Sequence, residues 1–371
     1  MCTQTAKELV IVMKKVFAVI VVVLALASSV CAMPVEEIAK ISVNADGSNF
    51  RYWNENAESL KALKAYVADV TNPESPNFIP AADRICVSDL DGTFYGELAP
   101  TYMEWYMFFH RIYDDPTYHA SEREKAYAEV CLAAAKAGKI STEVDAGEDH
   151  VQSHSFEGMT IEDFDAYAEN FLKNTPLDGL TNCTFAEAYY LPMVEVIRYL
   201  QANGFTFYVV SAADRQLIRV ALRAIPSINP ANVIGTDSKP IAKRQGFLDG
   251  LHFVFESEDV LVRGPYLVTD NKMEKTSAIY KEIGKRPVMG LGNSGSDTSM
   301  LNYARFNPKY KGFAMGVLCD DTVRDWGKPS TAESFKGTCD KYGWVAISMR
   351  DDWKTIYGDG VEKAAERKFR Q

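Results

Sequence analysis

Ile85-Cys86-Val87-Ser88-Asp89-Leu90-Asp91-Gly92-Thr93 is the stretch that decides the fold. Its first four residues form a short apolar run with β character, and the run halts at two aspartates and an Asp-Gly turn pair. A strand with little polar alternation belongs in a parallel sheet buried on both faces. Such open sheets bind ligands beyond the carboxyl ends of their strands, which is where Asp89 and Asp91 fall. Two carboxylates one residue apart, with Gly92 permitting a tight turn, can divide labour. One attacks a phosphorus centre while the other handles the leaving group's proton. A plain Asp-Gly surface turn is the competing reading, and the preceding strand weakens it. A calcium loop would need a bidentate Glu at its twelfth position, where Pro100 stands.

Working outward, the same strand-to-helix junction recurs three times. Val209-Val210-Ser211-Ala212-Ala213-Asp214 ends an apolar run with a hydroxyl before a helix, where a hydroxyl and free amides can hold phosphate oxygens or simply cap the helix. Asn271-Lys272-Met273-Glu274-Lys275 opens a helix after Tyr266–Thr269 and supplies lysines able to offset two carboxylates and a phosphate. Gly290-Leu291-Gly292-Asn293-Ser294-Gly295-Ser296-Asp297 follows another apolar strand. With Asp89 it offers the hard oxygen ligands that suit Mg2+. Each of the three alone is more often a cap, a solvated lysine or a loop. Four in this order are not.

Between the junctions the periodicity alternates. Helices are expected over Met193–Asn203, Arg215–Ala224, Lys275–Ile283 and Ser299–Arg305, and strands over Phe205–Val210, Asn232–Gly235, Pro287–Leu291 and Gly312–Leu318. Leu251–Val262 reads as a hairpin. The fold class is therefore α/β, a Rossmann-like parallel sheet with helices on both faces. Residues 99–185 carry three- and four-residue spacing over Glu104–Tyr113, Glu122–Ala137 and Ile161–Leu172 and lack clear strands, so they read as a helical cap inserted after the first strand. Residues 77–98 and 186–371 form the core, and 33–76 a solvated helical extension with an amphipathic stretch from Glu55 to Val70.

Composition sets the outer limits. The 371 residues are 47% hydrophobic and 24% charged, as in ordinary globular proteins, and the net charge of −10 disfavours a nucleic-acid partner. Lys14 and Lys15 precede an apolar run from Val16 to Ala27 and a small-residue exit at Val30-Cys31-Ala32, the pattern of a secretory signal peptide spanning 1–32. Cleavage would leave an exported, periplasmic or secreted chain without stable membrane insertion; an uncleaved anchor is the alternative, and Met1 and Met13 are the two candidate starts of translation. Five cysteines remain, an odd number without a Cys-x-x-Cys pair, which excludes a disulfide framework but leaves room for one Cys319–Cys339 bridge.

The order acid, hydroxyl, lysine, acid resembles the haloacid dehalogenase-like (HAD) hydrolase superfamily, mainly aspartate-nucleophile, Mg2+-dependent phosphatases. The likeness covers about residues 77–98 and 186–320 and is nearest to the phosphoserine-phosphatase-like branch. Ser75-Pro-Asn-Phe-Ile-Pro, Leu191-Pro-Met-Val-Glu and Gly292-Asn-Ser resemble an exported bacterial set within it. The resemblance implies that Asp89 is the nucleophile and becomes an aspartyl-phosphate. Asp91 is then the general acid and base, and Ser211 and Lys275 hold the phosphoryl group, with Lys272 the fallback. Mg2+ would be held by Asp89, the Asp91 carbonyl, Asn293 and Asp297. Many relatives carry Asp where Asn293 stands, which removes one negative charge from the metal site.

The expected function is hydrolysis of small-molecule phosphate esters. A phosphotransferase on the same fold and a catalytically weak periplasmic binding protein are the alternatives. Tyr102, Trp105, Tyr106, Phe108 and Phe109 read chiefly as the insertion's own core, or in part as a cage for a cationic alcohol such as choline. Glu97 offers a charge to such a head group or solvates a turn. His150 and His154, beside Glu148 and Asp149, suit either a second metal or a solvated acidic loop.

Overall fold

The computed structural model describes residues 32–96, 102–139 and 151–369. Among these, seven strands form one sheet: β1 (Ile85–Ser88), β2 (Thr206–Asp214), β3 (Val233–Ala242), β4 (Leu261–Val268), β5 (Met289–Gly292), β6 (Phe313–Leu318) and β7 (Val345–Ser348). Their order is β4-β3-β2-β1-β5-β6-β7. All neighbours run parallel except β4, which lies antiparallel to β3. The chain builds outward from β1 on one side, then returns to β1 and builds outward on the other through β5. That reversal opens a crevice at the carboxyl ends of β1 and β5.

Both faces of the sheet are covered, which is why β1 carries no exposed residue. Ile85 and Val87 point to one face and pack with Val210, Ile234 and Ala314. The helices α7 (Met273–Ile283), α8 (Thr298–Arg305) and α9 (Pro329–Tyr342) supply Ile279, Met300, Leu301 and Phe335 there. Cys86 points to the opposite face with Val209, Leu291 and Val317. That face receives α1 (Glu58–Thr71) and α5 (Leu191–Ala202) through Leu63, Val67, Val70, Val194 and Ile197. Between β2 and β3, α6 (Arg215–Ala221) makes the crossover.

Two expectations need correction. The N-terminal stretch is not a solvated lead-in. Leu63, Val67 and Val70 of α1 are fully buried against the sheet, each worth roughly 1.5–3 kcal/mol of burial. The Tyr66 hydroxyl donates to the carbonyl oxygens of Val288 and Lys311 at 3.0 and 3.1 Å, where β5 and β6 begin. The amphipathic spacing was legible, but the face it covers comes from strands more than two hundred residues later.

Leu251–Val262 is not a hairpin. Gly250–His252 makes one helical turn, and residues 253–260 take no regular structure. The hairpin is formed by β3 and β4, with Ala242 opposite Leu261 and Pro240 opposite Arg263. β3 extends to ten residues because β4 gives its second half a partner. Phe253-Val254-Phe255 is an apolar run of β-forming residues, but Val254 and Phe255 find no face to bury and stay exposed.

The inserted region contains α2 (Met103–Tyr113), α3 (Glu122–Ala137) and α4 (Ile161–Asn174). Trp105, Phe108 and Phe109 pack with Tyr127, Ala128 and Cys131 in a cluster separate from the sheet's two. The aromatic stripe is thus a core of the insertion. Cys319 and Cys339 are both free thiols, so the bridge is not formed. Cys319 donates to the Lys328 carbonyl, and Cys339, on α9, is buried beside Gly316. The leader through residue 31, Glu97, Glu148, Asp149 and His150 lie outside the described residues. His154 is exposed and sits 3.2 Å from Glu157.

Candidate active site

β1 delivers Asp89 to the crevice. The Asp89 amide donates to the Leu291 carbonyl at 3.0 Å, which carries the β1–β5 ladder one residue beyond the strand. The chain then turns sharply, with the Leu90 carbonyl accepting from the amides of Thr93, Phe94 and Tyr95 at 3.1 Å. Gly92 stands at φ +73°, a left-handed conformation that a side chain resists, so the turn requires its glycine. Thr93 Oγ1 donates to Asp89 Oδ2 at 3.2 Å.

Across the crevice, β5 ends at Gly292 and the chain wraps Asn293–Asp297 back over the strand end. Asp297 is fully buried, and its Oδ2 accepts from the Asn293 and Ser294 amides at 3.0 and 3.1 Å. A Cβ on Gly292 would lie 2.7 Å from Asp297 Cβ, so this close approach needs glycine.

Lys275, in the first turn of α7, joins the two sides. Its Nζ lies 2.6 Å from Asp89 Oδ1 and 2.8 Å from Asp297 Oδ1, and all three residues are nearly inaccessible to solvent. Burial alone would lower the Lys275 pKa, but the two carboxylates outweigh it and raise the pKa well above the ordinary lysine value. Lys272, the alternative, is exposed three residues earlier, at φ +53°. The structure therefore brings Lys275, and not Lys272, to the aspartates.

The two aspartates of the first motif sit in different environments. Burial and the Asp297 charge push the Asp89 pKa up to about 6, with Lys275 opposing. Burial and the Asp89 charge push Asp91 up to about 7, with Lys275 and a hydrogen bond from Ser211 opposing. Near neutral pH Asp89 is mainly the carboxylate, while Asp91 keeps its proton longer. Asp91 Oδ1 is buried and has no hydrogen-bond partner among the described residues. Ser211, itself buried in β2, accepts from the Ala213 amide at 3.2 Å as well as meeting Asp91. The predicted Asp89, Asp91, Ser211, Lys275 and Asp297 are thus gathered in one crevice. Asn293 stands half-buried at its rim, and only its backbone is engaged with Asp297.

Among the described residues no cluster of three or more His, Cys, Asp or Glu could hold a metal. Two carboxylates, Asp89 and Asp297, with the neutral oxygens of Asn293 and the Asp91 carbonyl, form the available donor set. This suits Mg2+, which takes one or two carboxylates and keeps several waters. The unpartnered Asp91 Oδ1 marks unsatisfied polarity beside that set.

Asp270 escaped the sequence reading. It is buried at the end of β4, both carboxylate oxygens lack partners among the described residues, and burial pushes its pKa up to about 7 against the charges of Lys275 and Arg215. The strand-end rule that singled out Asp89 would have found it, since it follows Tyr266–Thr269.

No protein-family model and no curated protein matches the chain. Solved structures do resemble it in shape. A conserved protein of unknown function from Anaerococcus prevotii is 10% identical, with 85% of this chain and 98% of that one covered and a TM-score of 0.49. A cytosolic 5'-nucleotidase IIIB bound to cytidine is 15% identical over 81% of this chain and 88% of its own, at 0.45. A phosphoserine phosphohydrolase-like protein from Francisella tularensis is 12% identical over 63% and 87%, at 0.35. At such identities and scores the chemistry has to be read from the residues.

Proposed function

We propose that this chain is a phosphatase of the HAD-like superfamily, an Mg2+-dependent phosphomonoesterase acting on small phosphate esters. The observation that carries the reading is the Lys275 ammonium bridging Asp89 and Asp297 at the β1/β5 crevice, with Asp91 beside them biased toward its acid form. In this reading Asp89 Oδ attacks phosphorus, the P–O bond to the alcohol breaks, and Asp91 gives its proton to the departing oxygen. Asp91 then takes a proton from the water that attacks the aspartyl-phosphate, which frees inorganic phosphate and restores both carboxyl groups. Lys275 and Ser211 hold phosphoryl oxygens, and the closed crevice keeps competing water out. A bound Mg2+ would neutralise phosphate charge so that an anionic nucleophile can approach. Asp89, the Asp91 carbonyl, Asn293 and Asp297 would hold it.

Export is part of the same proposal, supported by Lys14, Lys15 and the apolar run to Ala27. Among the described residues no helix is long and apolar enough to cross a membrane. The deciding experiment is turnover of p-nitrophenyl phosphate by the purified chain with and without Mg2+. Activity should vanish in Asp89→Asn, and beryllofluoride should form an adduct on Asp89. Unchanged turnover in that variant would refute the assignment.

A further inference from the structure

Between the inserted helices and the sheet lies a half-open cavity of about 30 Å3. Glu104 and Gln152 line it from the insertion, and Ala212, Asp214 and Arg263 from β2 and β4. Ala212 directly follows Ser211, the residue that meets Asp91. The cavity therefore lies one residue along β2 from the hydroxyl that meets Asp91.

Its walls hold hydrogen-bond donors without partners among the described residues. Gln152 is 8% exposed, and its Nε2 has no acceptor among the described residues. Arg263 is 5% exposed. Its Nη1 and Nη2 donate to Asp214 at 3.3 and 2.5 Å, its guanidinium lies 3.9 Å over the Phe164 ring, and its Nε has no acceptor among the described residues. A buried donor left unpaired costs about 1–3 kcal/mol, so two on one small cavity call for an acceptor from a ligand. Charge narrows the choice. Asp214 neutralises Arg263, and the Glu104 carboxylate, which accepts from the Asp214 amide at 3.1 Å, adds a negative wall. A second anionic group on the substrate is repelled. Phe156 and Phe164 both line the cavity, and each already meets a guanidinium, Arg111 at 5.6 Å and Arg263 at 3.9 Å, which disfavours a cage for a quaternary ammonium. The volume admits one or two water-sized groups.

We infer that this cavity reads the leaving group, and that the substrate is the phosphate ester of a short uncharged polyol, one hydroxyl oxygen accepting from Gln152 Nε2. This rests on the phosphatase reading above and narrows it.

Steady-state kinetics of the full protein on glycerol phosphate and propyl phosphate, the same ester without its hydroxyls, test the inference. The expected ratio of kcat/KM is at least tenfold in favour of glycerol phosphate, because a site built to bond a hydroxyl rejects the analogue lacking it. In Gln152→Leu that ratio should fall toward one, chiefly through KM. The wild-type comparison stands even if the variant does not fold. Equal rates on the two esters, or a preference for phosphocholine or phosphoserine, would overturn the inference while p-nitrophenyl phosphate turnover keeps the phosphatase reading. Absence of turnover on every ester would overturn both.

Discussion

Lys275 Nζ stands 2.6 Å from Asp89 Oδ1, joining the first turn of α7 to the end of β1 across 186 positions of sequence. The ion pair is buried, and the ammonium is shared with Asp297. One cation thus serves two buried carboxylates. Removing one partner of a buried set costs about 3–5 kcal/mol, because the charges left behind remain out of water. Lys275→Met should therefore lose about that much stability in urea denaturation, together with at least a hundredfold in turnover. Full stability with lost activity would mean that the lysine serves phosphate binding alone.

At the proposed Mg2+ site, Asn293 leaves one negative charge fewer than a three-carboxylate set. Chelation of divalent cations should abolish turnover, and Mg2+ should restore it. Asn293→Asp should bind Mg2+ more tightly, by about tenfold in isothermal titration calorimetry, since ligand charge tunes affinity at oxygen sites. Unaltered affinity would place the cation elsewhere.

Gly292 admits Asp297 to the strand end. Gly292→Ala forces two backbone-anchored carbons, 2.7 Å apart, to separate. The cost should be about 1–3 kcal/mol, and Asp297 should swing away from Lys275 with a large loss of activity. Gly295→Ala, where nothing lies within 4 Å of the new carbon, is the control and should melt close to the wild type.

Glu195, on α5, is buried far from the chemistry. It accepts from the Arg51 and Tyr52 amides at 2.7 and 3.1 Å, yet burial pushes its pKa up to about 7. An acid whose folded pKa is raised binds its proton in the native state after the unfolded chain has released it. Its contribution to stability is therefore whole below about pH 4.5 and is lost as the pH rises toward about 7. Glu195→Gln should flatten the fall in melting temperature across that window. A slope that matches the wild type would show that other buried carboxyls control it.

The strand-to-helix rhythm carried the fold well, because a parallel sheet buried on both faces writes itself as short apolar runs separated by helical spacing. Asp89, Ser211, Lys275 and Asp297 were legible for the same reason, each standing at a junction where such sheets place ligands. The resemblance put Lys275 ahead of Lys272, and only Lys275 is buried between Asp89 and Asp297. Arg263 lay hidden in a segment read as following a hairpin, and Gln152 in a helical stretch with no motif. Their meaning comes from meeting across more than a hundred residues. The seat of α1 was invisible on the same grounds, since its amphipathic stripe announces a buried face but not what lies beneath it.

That seat has a consequence for how the molecule comes into being. Tyr66 is made early, and the carbonyls its hydroxyl reaches, at Val288 and Lys311, are made late. No N-terminal half of the chain can bury α1, so the sheet closes only when β5 and β6 have emerged. Assembly is accordingly governed by long-range closure and waits for the ribosome to finish most of its work.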